Sequence, residues 1–172
     1  DEHTYKNFKY RILDDNTAEI CGYTGKNAVV TVPDSIDSKP VTSIGRTAFY
    51  SGKIKEVTIP NTVRSIKWWA FYGCESLEKI NLNFGLKTVG YGAFMNCKKL
   101  KSVSIPMSVT QICDDSFAVS CSTQKGVFDT YSKQTISTQQ YSTDSSFTLE
   151  GYSGTVAEKY CNDNSLNFVS SG

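Results

Sequence analysis

The segment from Val57 to Pro106 contains the same pattern of apolar residues twice. A short β-branched run ends at Pro60, and equivalent runs end at Asn83 and Pro106, so the pattern returns every 23 residues. A constant period in the twenties, with apolar residues at fixed offsets, indicates a solenoid in which each repeat forms one coil. The remaining residues are therefore interpreted as additions to a stack of coils.

Four copies of the pattern are visible, spanning residues 29–121, and an insertion around residues 37–40 lengthens the first of them. Each copy has a phenylalanine after Ala or Ser, at Phe49, Phe71, Phe94 and Phe117. Five positions upstream stands a β-branched residue, at Ile44, Ile66, Val89 and Ile112. The spacing predicts a mostly β, right-handed curved coil of about four repeats of 22–23 residues.

Side-chain alternation gives each coil an inside and an outside. In the run at residues 57–59, Val57 and Ile59 point inward and Thr58 outward, because neighbouring side chains of a strand face opposite ways. A proline cannot donate to the ladder, so Pro60 ends the strand and turns the chain. Since each coil buries its apolar face only against its neighbours, both ends of the stack need capping segments.

The N-terminal cap is predicted to be a β-hairpin within residues 1–28. Two runs of alternating polarity, Phe8–Leu13 and Ala18–Tyr23, are separated by the turn-forming sequence at residues 14–17. The hairpin would cover the exposed apolar end of the first coil.

The C-terminal third is predicted as a loop followed by a second cap. Residues 122–146, rich in Ser, Thr and Gln, predict a loop insertion with one strand near residues 125–131. Residues 147–172 predict a strand, a helix from Val156 to about residue 162 with Thr155 as its N-cap, and a final strand. We expect all 172 residues to form a single domain.

Composition excludes some classes of partner. The net charge of +1 predicts no strong attraction to nucleic acid or anionic membranes. No apolar run approaches the roughly 20 residues needed to cross a bilayer, so no membrane insertion is expected. The chain begins at Asp1 without a leader, which we interpret as a mature protein or an excised segment. We expect a monomer.

The six cysteines do not form an obvious disulfide framework. Cys74 and Cys97 occupy equivalent positions of adjacent coils, where their Cβ vectors run parallel, so a buried ladder of free thiols is predicted. Cys113, Cys121 and Cys161 lie outside this ladder, and a disulfide between the last coil and the C-terminal cap remains open.

The repeat resembles a known family. The segment from Ile59 to Asn83 resembles the BspA-like class of leucine-rich repeats, with Ile80 and Leu82 in the last apolar positions of the motif. Residues 151–160 and 164–169 are similar to the C-terminal cap of such domains in gut and rumen Firmicutes. The resemblance implies a leucine-rich repeat solenoid, an extracellular or bacterial cell-surface location, a binding or adhesion role, no catalytic residues and no cofactor.

Residues suited to catalysis are scarce. His3 is the sole histidine of the chain and lies in a terminus that we expect to be frayed, which argues against a Ser-His or Cys-His nucleophile. Asp114 and Asp115 are adjacent carboxylates, whose side chains point apart in a strand or turn, and we interpret them as solvated turn residues. Neither an enzyme nor a metal site is predicted.

Two columns of equivalent residues are candidates for binding. The outward strand positions hold small polar side chains, including Thr58, Asn81 and Ser104, which suit hydrogen bonding to an extended partner. An ordinary solvated strand face explains them equally well. A second group, Trp68, Trp69, Tyr72 and Tyr91, is expected on the convex side with Tyr50, where clustered aromatics favour contact with a partner. These rings are equally suited to cover the solenoid interior.

The first functional hypothesis is an extracellular, non-catalytic module that binds a protein partner through the solenoid surface. The alternatives are a carbohydrate-binding module that stacks polysaccharide on the aromatic cluster, and a structural spacer in a larger surface or cellulosome-type protein. Repeat folds serve unrelated functions, so the fold favours binding by analogy alone.

Overall fold

The computed structural model describes residues 1–118, 120–129, 134–142, 144 and 146–171. Within 120–129 and 134–142 it describes the backbone only. The strands are β1 His3–Tyr5, β2 Phe8–Ile12, β3 Ala18–Tyr23, β4 Val29–Thr31, β5 Ser35–Ile36, β6 Lys39–Ile44, β7 Glu56–Thr58, β8 Ser65–Ile66, β9 Lys79–Asn81, β10 Thr88–Val89, β11 Ser102–Ser104, β12 Gln111–Ile112, β13 Ser120–Asp129, β14 Gln134–Ser142, β15 Thr148–Gly151 and β16 Asn167–Ser170, and helix α1 spans Val156–Asn164.

The N-terminal hairpin is confirmed and has an additional strand. β2 and β3 pair antiparallel as predicted, and β1 adds a third strand on the outer edge of β2. The expectation that His3 lies in a frayed terminus was wrong, because His3 belongs to β1 and its ring centroid is 5.4 Å from that of Tyr10. β3 then pairs in parallel with β6, which joins the cap to the coils.

Two stacks of short parallel strands form the sides of the solenoid. One contains β6, β8, β10 and β12, in unbroken succession after β3. The other is divided into β4–β7–β9 and β11–β15–β16, because β9 and β11 are not hydrogen-bonded to each other. The backbone N–H groups of Ile59 and Ile105 bond to the next coil at 3.0 and 2.8 Å. At Leu82, the equivalent position between them, the described part of the chain provides no such bond.

A ladder of phenylalanine rings fills the interior. Phe49, Phe71, Phe94 and Phe117 stack with centroid separations of 4.8, 5.2 and 5.3 Å. All four are buried together with the Val, Ile and Leu side chains of the strands. This is the arrangement that the 22–23-residue spacing predicts, because equivalent residues of successive coils lie directly above one another.

The coils continue beyond the predicted end of the repeats. Phe147 stacks on Phe117 at 5.2 Å, and β15 pairs in parallel with β11, so the strand assigned to the C-terminal cap is also a rung of the solenoid. The predicted loop insertion instead contains β13 and β14, which form an antiparallel hairpin. This long hairpin separates Phe147 from the earlier rungs, which hides its place in the repeat.

The end of the chain forms a helix and strand as predicted. Helix α1 begins at Val156, but Thr155 makes no side-chain cap to it; the Thr155 hydroxyl donates instead to the carbonyl of Tyr152 at 2.6 Å. The helix buries Ala157, Tyr160 and Cys161 against the last coil. In the described residues no helix is long and apolar enough to cross a membrane.

Candidate functional site

The candidate aromatic residues lie on turns that follow the stack of β6, β8, β10 and β12. Each turn bonds to the turn of the next coil: the N–H of Thr47 donates to the carbonyl of Trp68 at 3.3 Å, and that of Trp69 to Tyr91 at 3.1 Å. Further bonds join Phe49 to Ala70 and Phe71 to Ala93 at 2.7 and 2.8 Å. These bonds make the turns a third ordered face of the solenoid, and they fix the register of its side chains.

One position in each turn adopts a left-handed backbone conformation. Thr47, Trp69, Gly92 and Asp115 occupy it, with φ between 54° and 57°. This conformation disfavours residues with a β-carbon and suits glycine. At Gly92 there is a second reason for glycine, because a β-carbon would lie 2.7 Å from Cδ1 of Trp69. The indole of Trp69 therefore lies directly against the backbone of the next coil.

Trp69 is held on both sides. The guanidinium of Arg46 lies 4.8 Å from the centre of the Trp69 ring, within the range of a cation–π interaction. Tyr91 approaches the indole edge-on, with centroids 6.3 Å apart and planes at 65°. Trp69 and Tyr91 are only partly exposed and pack as part of the solenoid wall, which is the second of the two roles that the sequence left open for these rings.

Trp68 and Tyr50 are the exposed aromatic residues of these turns, and Tyr72 is half-buried. The Trp68 side chain is 57% exposed and Tyr50 is 56% exposed. Tyr50 stacks on Tyr72 with centroids 5.2 Å apart and planes 7° apart. The hydroxyl of Tyr72 accepts a hydrogen bond of 3.1 Å from the Asn96 amide, which fixes the ring. We call Tyr50, Trp68 and Tyr72 the aromatic surface.

The acidic pair Asp114 and Asp115 lies on the last of these turns, and Asp115 is hydrogen-bonded to Tyr91 of the preceding coil. Burial raises the pKa of Asp115, the neighbouring Asp114 raises it further, and a hydrogen bond from Tyr91 opposes both effects. This bond gives the hydroxyl of Tyr91 a structural role. In the described part of the chain, no three His, Cys, Asp or Glu side chains are placed to hold a metal ion.

The polar strand column is largely engaged within the protein. The Asn81 amide donates to Glu56 at 2.9 Å and to Thr58 at 3.2 Å. The hydroxyl of Ser104 donates to Glu150 at 2.6 Å. The column is also interrupted between Asn81 and Ser104, where β9 and β11 are not paired. Thr58, Asn81 and Ser104 therefore offer less free hydrogen-bonding capacity than the sequence suggests.

A family model of the BspA type leucine rich repeat region matches residues 31–150 in six copies. The chain belongs to the BspA-type leucine-rich repeat family. The six copies exceed the four counted from the sequence, which agrees with a solenoid that continues through β15. A comparison with curated protein sequences gives no match.

Solved structures of bacterial leucine-rich repeat proteins are similar to this chain. A protein from Bacteroides capillosus ATCC 29799 is 31% identical, with a TM-score of 0.63 over 66% of this chain and 88% of its own. A leucine rich cell surface protein from Faecalibacterium prausnitzii A2-165 is 33% identical, with a TM-score of 0.64 over 69% of this chain. That similarity covers 34% of the F. prausnitzii chain.

The cysteine ladder of these BspA-type repeats is present as free thiols. Cys74 and Cys97 are buried, and each donates to the carbonyl of a phenylalanine one coil earlier, Phe49 at 3.0 Å and Phe71 at 3.2 Å. Hydrogen bonding to Cys74 and burial raise the pKa of the Cys97 thiol well above its ordinary value. Cys113 and Cys161 are free as well, so no disulfide joins these two; the side chain of Cys121 lies outside the described residues.

Proposed function

We propose that this BspA-type domain is an extracellular, non-catalytic module that binds a protein partner through the turn face of its solenoid. The observation that carries the proposal is the pair of large aromatic side chains, Trp68 and Tyr50, left more than half exposed beside two others that are held in the wall. Packing of the coils accounts for Trp69 and Tyr91 but not for Trp68.

The composition and rigidity of the aromatic surface suit protein recognition. Tryptophan, tyrosine and arginine are the residue types that dominate binding energy in protein interfaces, and Arg46 adjoins Trp69 at the edge of this surface. The turns are hydrogen-bonded from coil to coil, and Tyr50 and Tyr72 stack on each other, so the backbone and these two rings are ordered before a partner arrives, which lowers the entropy lost on binding.

The proposed extracellular location rests on similarity to a solved structure. The F. prausnitzii protein is described as a leucine rich cell surface protein. The net charge of +1 gives this chain no general attraction to nucleic acid.

A carbohydrate ligand is the second candidate, favoured by one feature of the aromatic surface. Tyr50 is 56% exposed and its ring is stacked on Tyr72 with the planes 7° apart, which makes Tyr50 a flat aromatic platform of the kind on which sugar rings stack. A spacer role is the outcome if neither class of ligand binds.

The deciding experiment compares the wild type with Trp68→Ala on arrays of extracellular proteins and of polysaccharides. Tyr152→Ala, which truncates a 38% exposed aromatic outside the turn face, is the matched control. We expect binding to a protein that falls by at least about tenfold in Trp68→Ala, since hot-spot truncations cost about 2 kcal/mol or more, and is kept in Tyr152→Ala. Trp68-dependent binding to a polysaccharide, or no binding by the wild type, would contradict the proposal.

A further inference from the structure

A cavity of about 350 Å³ lies between the N-terminal hairpin and the first coil. Its walls come from β3 and the loop after it, around Tyr23–Asn27, and from the first turn and the segment that follows, Thr47–Ile54. Tyr50 lines the cavity and also belongs to the aromatic surface, so the opening adjoins the face proposed to bind a partner.

The first coil is irregular in the segment that lines the cavity. Five positions separate Phe49 from the next buried apolar residue, Ile54, whereas six separate Phe71 from its counterpart Leu77. Gly52 also stands where the next two coils have cysteines, so the first coil has no thiol there to fill the space. A β-carbon added at Gly52 would lie 3.0 Å from the carbonyl oxygen of Phe49 and 3.6 Å from Sγ of Cys74, so a side chain would extend into the cavity only with a small shift of the backbone.

Aromatic rings shape one wall of the cavity. Tyr23 packs against Phe49 with centroids 5.7 Å apart. The ring of Tyr23 folds over Gly25 so closely that a β-carbon there would lie 2.2 Å from the tyrosine hydroxyl. Glycine at position 25 is therefore what allows the ring to close this side, and the resulting wall is partly apolar.

The polar part of the lining is cationic. Lys9, Lys26 and Lys53 line the cavity, against a single carboxylate, Glu2. Glu2 pairs with Lys9 at 3.0 Å, whereas Lys26 and Lys53 have no carboxylate within 4.0 Å in the described part of the chain. The whole protein carries a net charge of only +1, so this is a local concentration of positive charge.

Backbone N–H groups of the lining residues add further hydrogen-bond donors to the cationic side chains. The N–H groups of Gly25, Lys26 and Asn27 have no hydrogen-bond partner within the described residues. Backbone N–H groups without a partner and lysine ammonium groups are both donors with which proteins bind carboxylates.

We propose that this cavity binds an acidic side chain from an extended segment of a protein partner. The carboxylate pairs with Lys26 and Lys53, and the stem of the side chain lies against Tyr50 and Tyr23. This inference rests on the proposed function, because it names a feature of the protein partner. An acidic side chain is preferred to a uronic acid because the partner under the proposed function is a protein; a cavity of about 350 Å³ has room for either, and the test below includes a uronic acid probe to separate them.

The test uses the whole domain and three soluble probes: hexaglutamate, hexaglutamine and trigalacturonate. Binding is followed by NMR through the backbone amides of Gly22, Gly25 and Gly52, all of which line the cavity. The variant Lys26→Gln/Lys53→Gln is compared with Lys87→Gln/Lys99→Gln, which removes the same charge at positions outside the lining.

We expect hexaglutamate to shift the three glycine signals and hexaglutamine to leave them unchanged. The affinity for hexaglutamate should fall by about fivefold to tenfold in Lys26→Gln/Lys53→Gln, as expected from two partly exposed ion pairs, and stay within twofold in the control. An equal loss in both variants, binding of hexaglutamine, or Lys26/Lys53-dependent binding of trigalacturonate alone would overturn the proposal.

The outcome is independent of the test of the proposed function. Trp68 does not line the cavity, so Trp68→Ala should bind hexaglutamate like the wild type even though it loses the protein partner. If the array experiment fails but hexaglutamate still binds, the proposal for the aromatic surface is contradicted and the proposal for the cavity is kept. If Trp68-dependent binding of a protein is found but hexaglutamate does not bind, the proposal for the cavity is contradicted instead.

Discussion

Replacing Phe71 by alanine should lower the free energy of unfolding by about 3–5 kcal/mol, the range found when a fully buried phenylalanine is truncated. Phe71 is completely buried and stacks on Phe49 at 4.8 Å and on Phe94 at 5.2 Å. Its removal leaves a cavity in the middle of the ladder and weakens the contacts on both sides, because each coil is stabilised mainly by its neighbours. Urea unfolding followed by circular dichroism measures the change.

The next coil provides a matched control. Phe84 is 71% exposed, so Phe84→Ala removes the same group from the surface of the same domain. We expect its effect to stay within about 0.5 kcal/mol. Equal destabilisation by the two variants would contradict the assignment of the phenylalanine ladder as the core of the solenoid.

Glu19→Gln should be the most destabilising change to a charged residue of the N-terminal cap, by about 2–3 kcal/mol. The Glu19 side chain is only 2% exposed and is paired with Arg11 at 2.6 Å and with Lys67. Ser43 donates a third hydrogen bond to it at 2.7 Å. These contacts join the hairpin to the first two coils. Arg11 and Lys67 are partly exposed and can be hydrated after the substitution, which limits the loss.

The destabilisation should depend on pH. Burial by itself raises the pKa of Glu19, but the hydrogen bonds from Lys67 and Ser43 and the charges of Lys67 and Arg11 outweigh it and leave the pKa below its ordinary value of 4.5. A lowered folded-state pKa gives stability that is present above the unfolded-state pKa and is lost as the pH falls through the folded value. The difference in unfolding free energy between wild type and Glu19→Gln should therefore be full at neutral pH and shrink below about pH 4.5.

Urea unfolding of both proteins across this range measures the effect. Glu75→Gln, which disrupts the exposed pair with Lys98, serves as the control and should change stability by less than about 1 kcal/mol at neutral pH. A difference between Glu19→Gln and wild type that stays constant from neutral to acid pH would show that the carboxylate charge does not stabilise the cap.

The repeat period determined more of the fold than any other signal in the sequence. It placed Phe49, Phe71, Phe94 and Phe117 above one another because a fixed spacing makes equivalent residues neighbours in successive coils. It missed the rung at Phe147, since the β13–β14 hairpin interrupts the count. Period alone cannot distinguish a coil that is absent from one displaced by an insertion.

The candidate site was predicted only in part. The structure places Tyr50 against Tyr72 and Trp69 against Tyr91, as equivalent positions in successive coils allow, but the sequence did not show which of the two adjacent tryptophans faces solvent. The difference arises from the backbone: Trp69 takes the left-handed position that Gly92 takes in the next coil, and its ring lies against that glycine. The sequence contained one indication of this difference. Gly92 occupies the position equivalent to Trp69 in the next coil, and a glycine there indicates a left-handed backbone conformation at this position of the turn. The bonds of Asn81 and Ser104 to Glu56 and Glu150 depend on side-chain rotamers, which a repeat pattern does not define.

Trp68, 57% exposed, is proposed to be available to a partner, whereas Trp69 packs against the next coil. With two tryptophans in the chain, Trp69→Phe and Trp68→Phe each leave one fluorophore, and acrylamide quenching of their emission reports its accessibility. We predict efficient quenching in Trp69→Phe, where Trp68 emits, and clearly weaker quenching in Trp68→Phe, where Arg46, Tyr91 and Gly92 surround the indole. Equal quenching, or stronger protection of Trp68, would contradict the account.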